Sequence, residues 1–334
     1  MNIKAISLIS GGLDSTLATK VVMDQGIDVV AANFISPFCR CDRKDGCRHE
    51  AKFVSEELGI PIRIVNVTKE FLEIIKSPKH GYGSHMNPCI DCRILMLKKA
   101  KEMMKEVDAS FLITGEVMGQ RPMSQKKNTL RHIEKEADLE GLILRPLSAK
   151  LLEPTIPEEK GWVNREKLLD ICGRSRKVQM QMAHDYNIKD YPCPAGGCLL
   201  TDPAFSKRVR DLVDHHELTM EDINLLNHGR HFRISKQAKL VVGRNEHDNK
   251  MLEFSKTDSD ILFTPEEDVA GASALGRGTF SNREDLLLAA RIVSRYFDKK
   301  NPSAKARVVV SYKGKAEVVE TEPFSEEEAK QYLI

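Results

Sequence analysis

The chain has no apolar run near the roughly 20 residues needed to cross a bilayer, no internal repeat and no low-complexity tract. These absences argue against a membrane-spanning protein, a solenoid and a disordered polymer. Net charge is scarce too. Against 49 Asp and Glu stand 51 Lys and Arg, leaving +2, so any RNA surface must be a local patch rather than the whole molecule. No signal peptide stands ahead of the first apolar run, which leads to the expectation of a cytoplasmic, reducing setting. The eight cysteines are then expected as metal ligands or reactive groups rather than disulfides. With 334 residues the chain can hold two or three domains with ample core.

The stretch that organises the remainder is Ser10-Gly11-Gly12-Leu13-Asp14-Ser15. An apolar run from Ile3 to Ile9 predicts a buried strand, and helical spacing resumes from Ser15 to Met23. Strand, glycine turn and helix N-terminus make an anion site, because backbone N–H groups and the helix dipole point at a phosphate. Ser10 and Ser15 add hydroxyls, and Gly11 and Gly12 let the backbone come close. No lysine stands in the turn, so this is not the loop that ends in Gly-Lys-Ser/Thr.

Further strands are predicted at Ile27 to Phe34, Ile60 to Val67 and Phe111 to Gly115, with helices at His49 to Leu58 and Cys92 to Val107. Such alternation predicts an α/β fold, a doubly wound parallel sheet with helices on both faces. Ligands of these sheets sit beyond the carboxyl ends of the strands. Ser10 to Ser15, Asn33, Phe34, Thr114 and Gly115 all fall there and are expected to share a nucleotide cleft. The run from Thr114 to Arg121 includes Gln120, and Arg121 could neutralise a phosphate or an RNA backbone.

Residues 1–150 are therefore expected as the nucleotide domain. Residues 151–232 read as a helical and loop extension, with helices at Arg165 to Cys172, from Gly173 to Tyr186, and at Ala204 to His216. Arg165, Arg174, Arg176 and Lys177 suit phosphate contact, although a solvated basic face is at least as common. Residues 233–334 read as a small α+β domain, its last clear strand at Arg307 to Tyr312 standing ahead of an acidic tail.

Cys89 and Cys92 stand three apart at a helix start, where both can face one centre and the positive helix end is expected to lower thiolate pKa. Cys193 and Cys198 flank a Pro/Gly turn that could wrap a cofactor. Together they could hold zinc or an iron–sulfur cluster, with three thiolates leaving one position open. The metal-free alternative is a persulfide on one cysteine with a resolving partner. Cys39, Cys41 and Cys47 form a third group that could bind zinc, and Cys172 reads as a core thiol.

Ser10 to Ser15 resembles the pyrophosphate loop of ATP pyrophosphatases, which cleave ATP to AMP and pyrophosphate while adenylating a substrate. Combined with Asn87-Pro88-Cys89-Ile90-Asp91-Cys92 and the distant Gly197-Cys198, it resembles the tRNA thiouridine synthases, the 4-thiouridine synthase and tRNA 2-thiouridylase families. Val242-Gly243-Arg244-Asn245-Glu246-His247-Asp248-Asn249 is similar to the opening of the RNA-binding domain of NFACT proteins. The long N-terminal RNA-binding extension and the rhodanese-like domain of the first families are not expected in this chain.

The resemblance implies ATP, magnesium and tRNA as ligands, with sulfur from sulfide or a sulfur-carrier protein. It implies phosphate binding by Ser10, Gly11, Gly12 and Ser15, and Asp14 orienting the loop or the magnesium ion. In cluster-dependent members three cysteines bind a 4Fe–4S cluster whose open iron carries hydrosulfide. Here these would be Cys89, Cys92 and Cys198, with Cys193 as the alternative third ligand. The oligomeric state stays open, a homodimer being one expectation. The competing readings are an ATP-dependent ligase acting on a small molecule, a non-enzymatic RNA-binding protein and a structural zinc protein.

Overall fold

The computed structural model describes residues 3–39, 46–188, 197–298 and 305–334, with the backbone alone for 46–50. They form two compact units, Met1–Thr201 and Asp202–Ile334. The segment expected as a separate extension at 151–232 is thus divided between the two.

The first unit runs β1 (Lys4–Leu8), α1 (Leu13–Met23), β2 (Asp28–Ile35), α2 (Gly46–Leu58), β3 (Ile62–Asn66), α3 (Thr68–Lys76), α4 (Cys89–Val107), β4 (Phe111–Thr114), α5 (Lys127–Glu136), β5 (Ile143–Leu144), α6 (Ile156–Glu159) and α7 (Lys177–Asp185). Its five strands are ordered β3-β2-β1-β4-β5, and every neighbouring pair is parallel. Alternate residues of a strand face opposite sides, which here builds two cores. Ala5, Phe111 and Ile113 pack with Leu13, Leu17 and Val21 of α1. Ile6, Leu8 and Leu112 pack with Leu97, Ala100 and Met103 of α4 and with Ile133 of α5. Strand order reverses at β1, which has β2 on one side and β4 on the other. The carboxyl ends of these strands therefore open onto the crevice where doubly wound sheets bind ligands.

Residues 144–188 also belong to the first core, through Leu147, Val163, Leu168, Ile171, Ala183 and Ile188. The helix expected from Arg165 to Cys172 is instead one 3-10 turn at Arg165–Lys167, followed by extended chain. Backbone bonds from Leu169 N to Pro146 O and from Ile171 N to Leu147 O pair this chain with 146–147. Cys172 ends the stretch exposed, not in the core.

The second unit contains α8 (Pro203–Asp214), α9 (Met220–Leu225), β6 (Arg230–Ser235), β7 (Ala238–Val242), α10 (Glu246–Phe254), β8 (Ile261–Pro265), β9 (Ala274–Gly278), α11 (Arg283–Ser294), β10 (Ala306–Tyr312), β11 (Lys315–Thr321) and α12 (Glu326–Lys330). Its sheet has the order β11-β10-β8-β9-β7-β6 and is antiparallel throughout. Ala289, Ala290, Ile292 and Val293 of α11 pack with Phe232, Leu240, Phe263 and Val308 of that sheet. The expected acidic tail is not a tail. Lys313 and Gly314 take positive φ of 47° and 75°, as a two-residue hairpin turn requires, and the acidic strand β11 pairs with β10 along its length. No helix among the described residues is long and apolar enough to cross a membrane.

Candidate functional site

The turn after β1 is held by its own hydroxyls. Ser15 Oγ donates to Gly12 O at 2.8 Å and accepts from Ser10 N at 3.3 Å. Gly11 has φ +80°, a conformation costly for any other residue. No side chain caps the N-terminus of α1, so no side chain covers its first backbone N–H groups.

Two buried oxygens beside the turn lack hydrogen-bond partners among the described residues, Asp14 Oδ1 and Asn33 Oδ1. The other Asp14 oxygen accepts from Gln120 Nε2 at 2.9 Å, and Asn33 Nδ2 donates to Ile9 O at 2.8 Å. A buried carboxylate oxygen with no donor is a costly arrangement, and a metal–phosphate group would relieve it. Thr114 stands at the end of β4, its hydroxyl 3.2 Å from Glu116 Oε2. Phe34 packs against the core between the sheet and α4.

Gly115 fits because it has no side chain. A methyl group there would lie 2.5 Å from Ser15 N and 2.6 Å from the Asp14 carbonyl carbon, both backbone atoms that cannot yield separately. Gly115→Ala is expected to cost about 1–3 kcal/mol through overpacking, read as a lower denaturant midpoint. An unchanged midpoint would show that the loop backbone relaxes freely.

The thiols gather at the start of α4. Pro88 precedes the helix and Cys89 opens it, so Cys89 and Cys92 share the first turn. Cys198 arrives from a distant segment and pairs in an isolated antiparallel bridge with Cys39, while Leu199 N bonds Phe38 O at 2.8 Å. Desolvation pushes the Cys92 thiol up to about 12, opposed by Arg93 and reinforced by Cys198, Cys89 and Cys39. Desolvation likewise lifts Cys198 to about 12, with Cys39 and Cys89 adding to the rise. The lowered thiolate pKa expected from the helix end is therefore not found at Cys92, where desolvation and neighbouring thiols outweigh the dipole.

Cys39 thus lies within electrostatic reach of Cys92 and Cys198. Cys41 and Cys193 lie outside the described residues, and Cys47 is on α2 without a described side chain. A single tetrahedral ion with about 2.3 Å bonds holds its sulfurs about 3.8 Å apart. Among the described residues no three thiols lie within 4.8 Å of one another.

Gln120 and Arg121 join the two halves. Gln120 holds Asp14, while Arg121, exposed at the rim, lies within electrostatic reach of Cys89, Cys198, Arg93 and Glu116. Beneath it, Glu116 is 3% exposed. It pairs with Arg93 at 3.3 Å and with Arg145 at 3.0 Å, and Arg145 also pairs with Glu134. Burial alone would raise the Glu116 carboxyl, but Arg93 and Arg145 hold it below the usual range. Sequence reading missed Cys39 as a neighbour of Cys198, and it missed Glu116 and Arg93. The available signal was adjacency, since Glu116 follows Thr114-Gly115 and Arg93 follows Cys92.

The other basic candidates lie elsewhere. Arg174 and Lys177 are exposed at the start of α7, with Arg176 half-buried between them. Arg165 is engaged structurally, donating to Ala149 O and Leu152 O at 2.9 Å each. In the second unit, Asn245 caps α10 through Asp248 N at 2.9 Å, and Asp248 accepts from Gly229 N and pairs with Arg244. Much of the segment from Val242 to Asn249 thus serves to build its own turn.

Residues 1–151 match the family model "Thiamine biosynthesis protein (ThiI)". The similarity to that family is thus confined to the first part of the chain. Residues 229–333 match the "NFACT protein RNA binding domain". A probable tRNA sulfurtransferase of Ureaplasma parvum is 30% identical over 153 residues, 45% of this chain and 37% of that protein. A tRNA-specific 2-thiouridylase of Caldanaerobacter subterraneus is 31% identical over 128 residues, 34% of this chain and 35% of that protein. The chain thus spans little more than a third of the length of these curated relatives. A crystal structure of a 4-thiouridine synthetase–RNA complex with bound ATP has a TM-score of 0.38 at 24% identity, covering 67% of this chain and 52% of that one.

Proposed function

We propose that this protein thiolates a uridine of tRNA at the expense of ATP, adenylating a carbonyl oxygen of the base and then replacing that oxygen with sulfur. The observation that carries the reading is the adjacency of the phosphate loop to a set of thiols through Gln120 and Arg121. The match of residues 1–151 to the ThiI family and the names of the relatives support it.

Ser10, Gly11, Gly12 and Ser15 would hold the ATP phosphates at the end of α1, where backbone N–H groups offset their charge. Asp14, with one oxygen on Gln120 and the other unpartnered, would carry the magnesium ion that neutralises the departing pyrophosphate. Asn33 and Thr114, at the ends of β2 and β4, would border the nucleotide. The uridine carbonyl oxygen attacks the α-phosphorus and pyrophosphate leaves. The base is then an electrophile, and a sulfur nucleophile expels AMP.

Cys89, Cys92 and Cys198 would hold a 4Fe–4S cluster, which supplies an iron site able to hold and deliver sulfide. Their thiols must lose protons to do so, and Arg93 beside Cys92 and Arg121 beside Cys198 favour the charged forms. Arg121, Arg174, Arg176 and Lys177 would contact the RNA backbone, together with the unit at 229–333.

The test measures pyrophosphate release from ATP with and without tRNA lacking thiouridine, using anaerobically purified protein. Release that depends on tRNA, followed by thiolated nucleoside once sulfide is added, is the expected result. Equal release without tRNA would replace this reading with a ligase acting on a small molecule.

A further inference from the structure

The loop that leads into α4 carries a cluster of side chains that the thiolation chemistry does not use. His80 in this loop and His132 on α5 bring their Nε2 atoms to 2.8 Å. With Glu136 they form a group whose ligand atoms all lie within 4.8 Å of one another. His132 and Glu136 are four residues apart on α5, which puts both on one helix face.

His80 is oriented from behind. Its Nδ1 lies 2.8 Å from Asp91 Oδ1, and its backbone N–H donates to Asp91 Oδ2 at 3.0 Å. A carboxylate on one ring nitrogen fixes the proton there and turns the other lone pair outward, the usual support for a metal-ligating histidine. Asp91 is only 7% exposed, so this orientation belongs to the fold. Two imidazole nitrogens and one carboxylate, with a fourth position left to water, are a known zinc donor set. Nitrogens about 2.0–2.1 Å from such an ion lie about 3.3 Å apart, so the rings need only a small adjustment. Lys79 reaches Glu136 at 2.6 Å, but its side chain is 67% exposed and free to swing aside.

We propose that His80, His132 and Glu136 form a binding site for a divalent ion of the zinc class, with Asp91 as the positioning residue for His80. The ion ties the loop between α3 and α4 to α5. Asp91 lies between Cys89 and Cys92 in the first turn of α4, so the ion also braces the thiol-bearing helix end through His80. The site stands on these side chains alone and does not depend on the thiolation reading.

Full-length protein is titrated with Co2+ as the spectroscopic probe, and Zn2+ affinity is measured by competition with a chromophoric chelator. His132 is exposed, so His132→Ala should keep the fold, checked by an unchanged circular dichroism spectrum; Glu136→Gln serves as the second variant. The expected wild-type minus His132→Ala cobalt spectrum shows d–d bands without thiolate charge transfer, which separates this site from any cysteine site. Zn2+ affinity is expected to fall at least about tenfold in either variant, and by about 10–100-fold in Asp91→Asn. Cobalt spectra and zinc affinities that match the wild type in both His132→Ala and Glu136→Gln, or a difference spectrum dominated by sulfur charge transfer, overturn the proposal.

Discussion

Cys198→Ser is expected to lower tRNA thiolation by at least about 1000-fold, as loss of an essential reacting group does, while tRNA-dependent pyrophosphate release continues. In the proposed reaction the two steps would use different parts of the molecule. The phosphate loop is built from Ser10, Gly12 and Ser15 bonding to one another, whereas Cys198 is placed by its bridge to Cys39 and by Thr201. Both the Thr201 backbone N–H and its hydroxyl donate to Cys198 O, at 2.9 Å and 2.7 Å. These are backbone contacts, so serine preserves them and removes only the sulfur. Mercury-affinity electrophoresis of the tRNA and a coupled pyrophosphate assay read the two steps separately. Thiolation close to the wild-type rate would remove Cys198 from the ligand set and pass its place to Cys39 or Cys193. Loss of both steps together would mean that the substitution had damaged the cleft rather than the sulfur chemistry.

Glu116→Gln is expected to destabilise the protein by about 3 kcal/mol, the low end for breaking a buried ion pair, because Arg145 keeps Glu134 as a second partner. Two guanidinium groups share this carboxylate, and it is almost fully enclosed. Glutamine keeps the shape and loses the charge, so the effect isolates electrostatics. Against a typical total stability of about 5–15 kcal/mol the loss is large, and equilibrium denaturation will show it as a lower midpoint at unchanged slope. The pH dependence has a definite sign. Arg93 and Arg145 depress the folded-state value of Glu116, so its contribution is complete above the ordinary carboxylate value of 4.5. It is lost as pH falls from there through the depressed folded value. Wild type should therefore lose stability on acidification more steeply than Glu116→Gln. A midpoint shift worth less than about 1 kcal/mol, the range of an exposed ion pair, would show that the two arginines do not depend on Glu116.

The parts of the fold legible in the sequence were those specified by local chemistry. The run from Ile3 to Ile9 and the glycines at 11 and 12 appear as β1 and its turn, because a parallel strand buried on both faces needs a mainly apolar run. The helix bearing the thiols was legible from its apolar spacing of three to four residues at Ile94, Leu97, Ala100, Met103 and Met104, although it begins at Cys89 rather than Cys92, since Pro88 can precede a helix but not continue one. Elements with weak local signals were not legible. α5 buries only Leu130 and Ile133 along its length, too few to mark a helix, and with it went His132 and Glu136. The helix read at Arg165 to Cys172 failed in the opposite sense. Its apolar spacing is real, but backbone bonds to 146–147 hold the chain extended.

The sequence by itself determined the glycine turn after β1, the pair Cys89 and Cys92, and the alternation that makes a parallel sheet, since each lies within a few neighbouring residues. Tertiary structure alone decided which distant groups meet them. Cys39 and Cys198 are brought together by a backbone bridge, Gln120 closes on Asp14, and Glu116 is paired from two other elements. No local pattern encodes such contacts, because they follow from the packing of strand ends in a common crevice rather than from the preferences of any one segment.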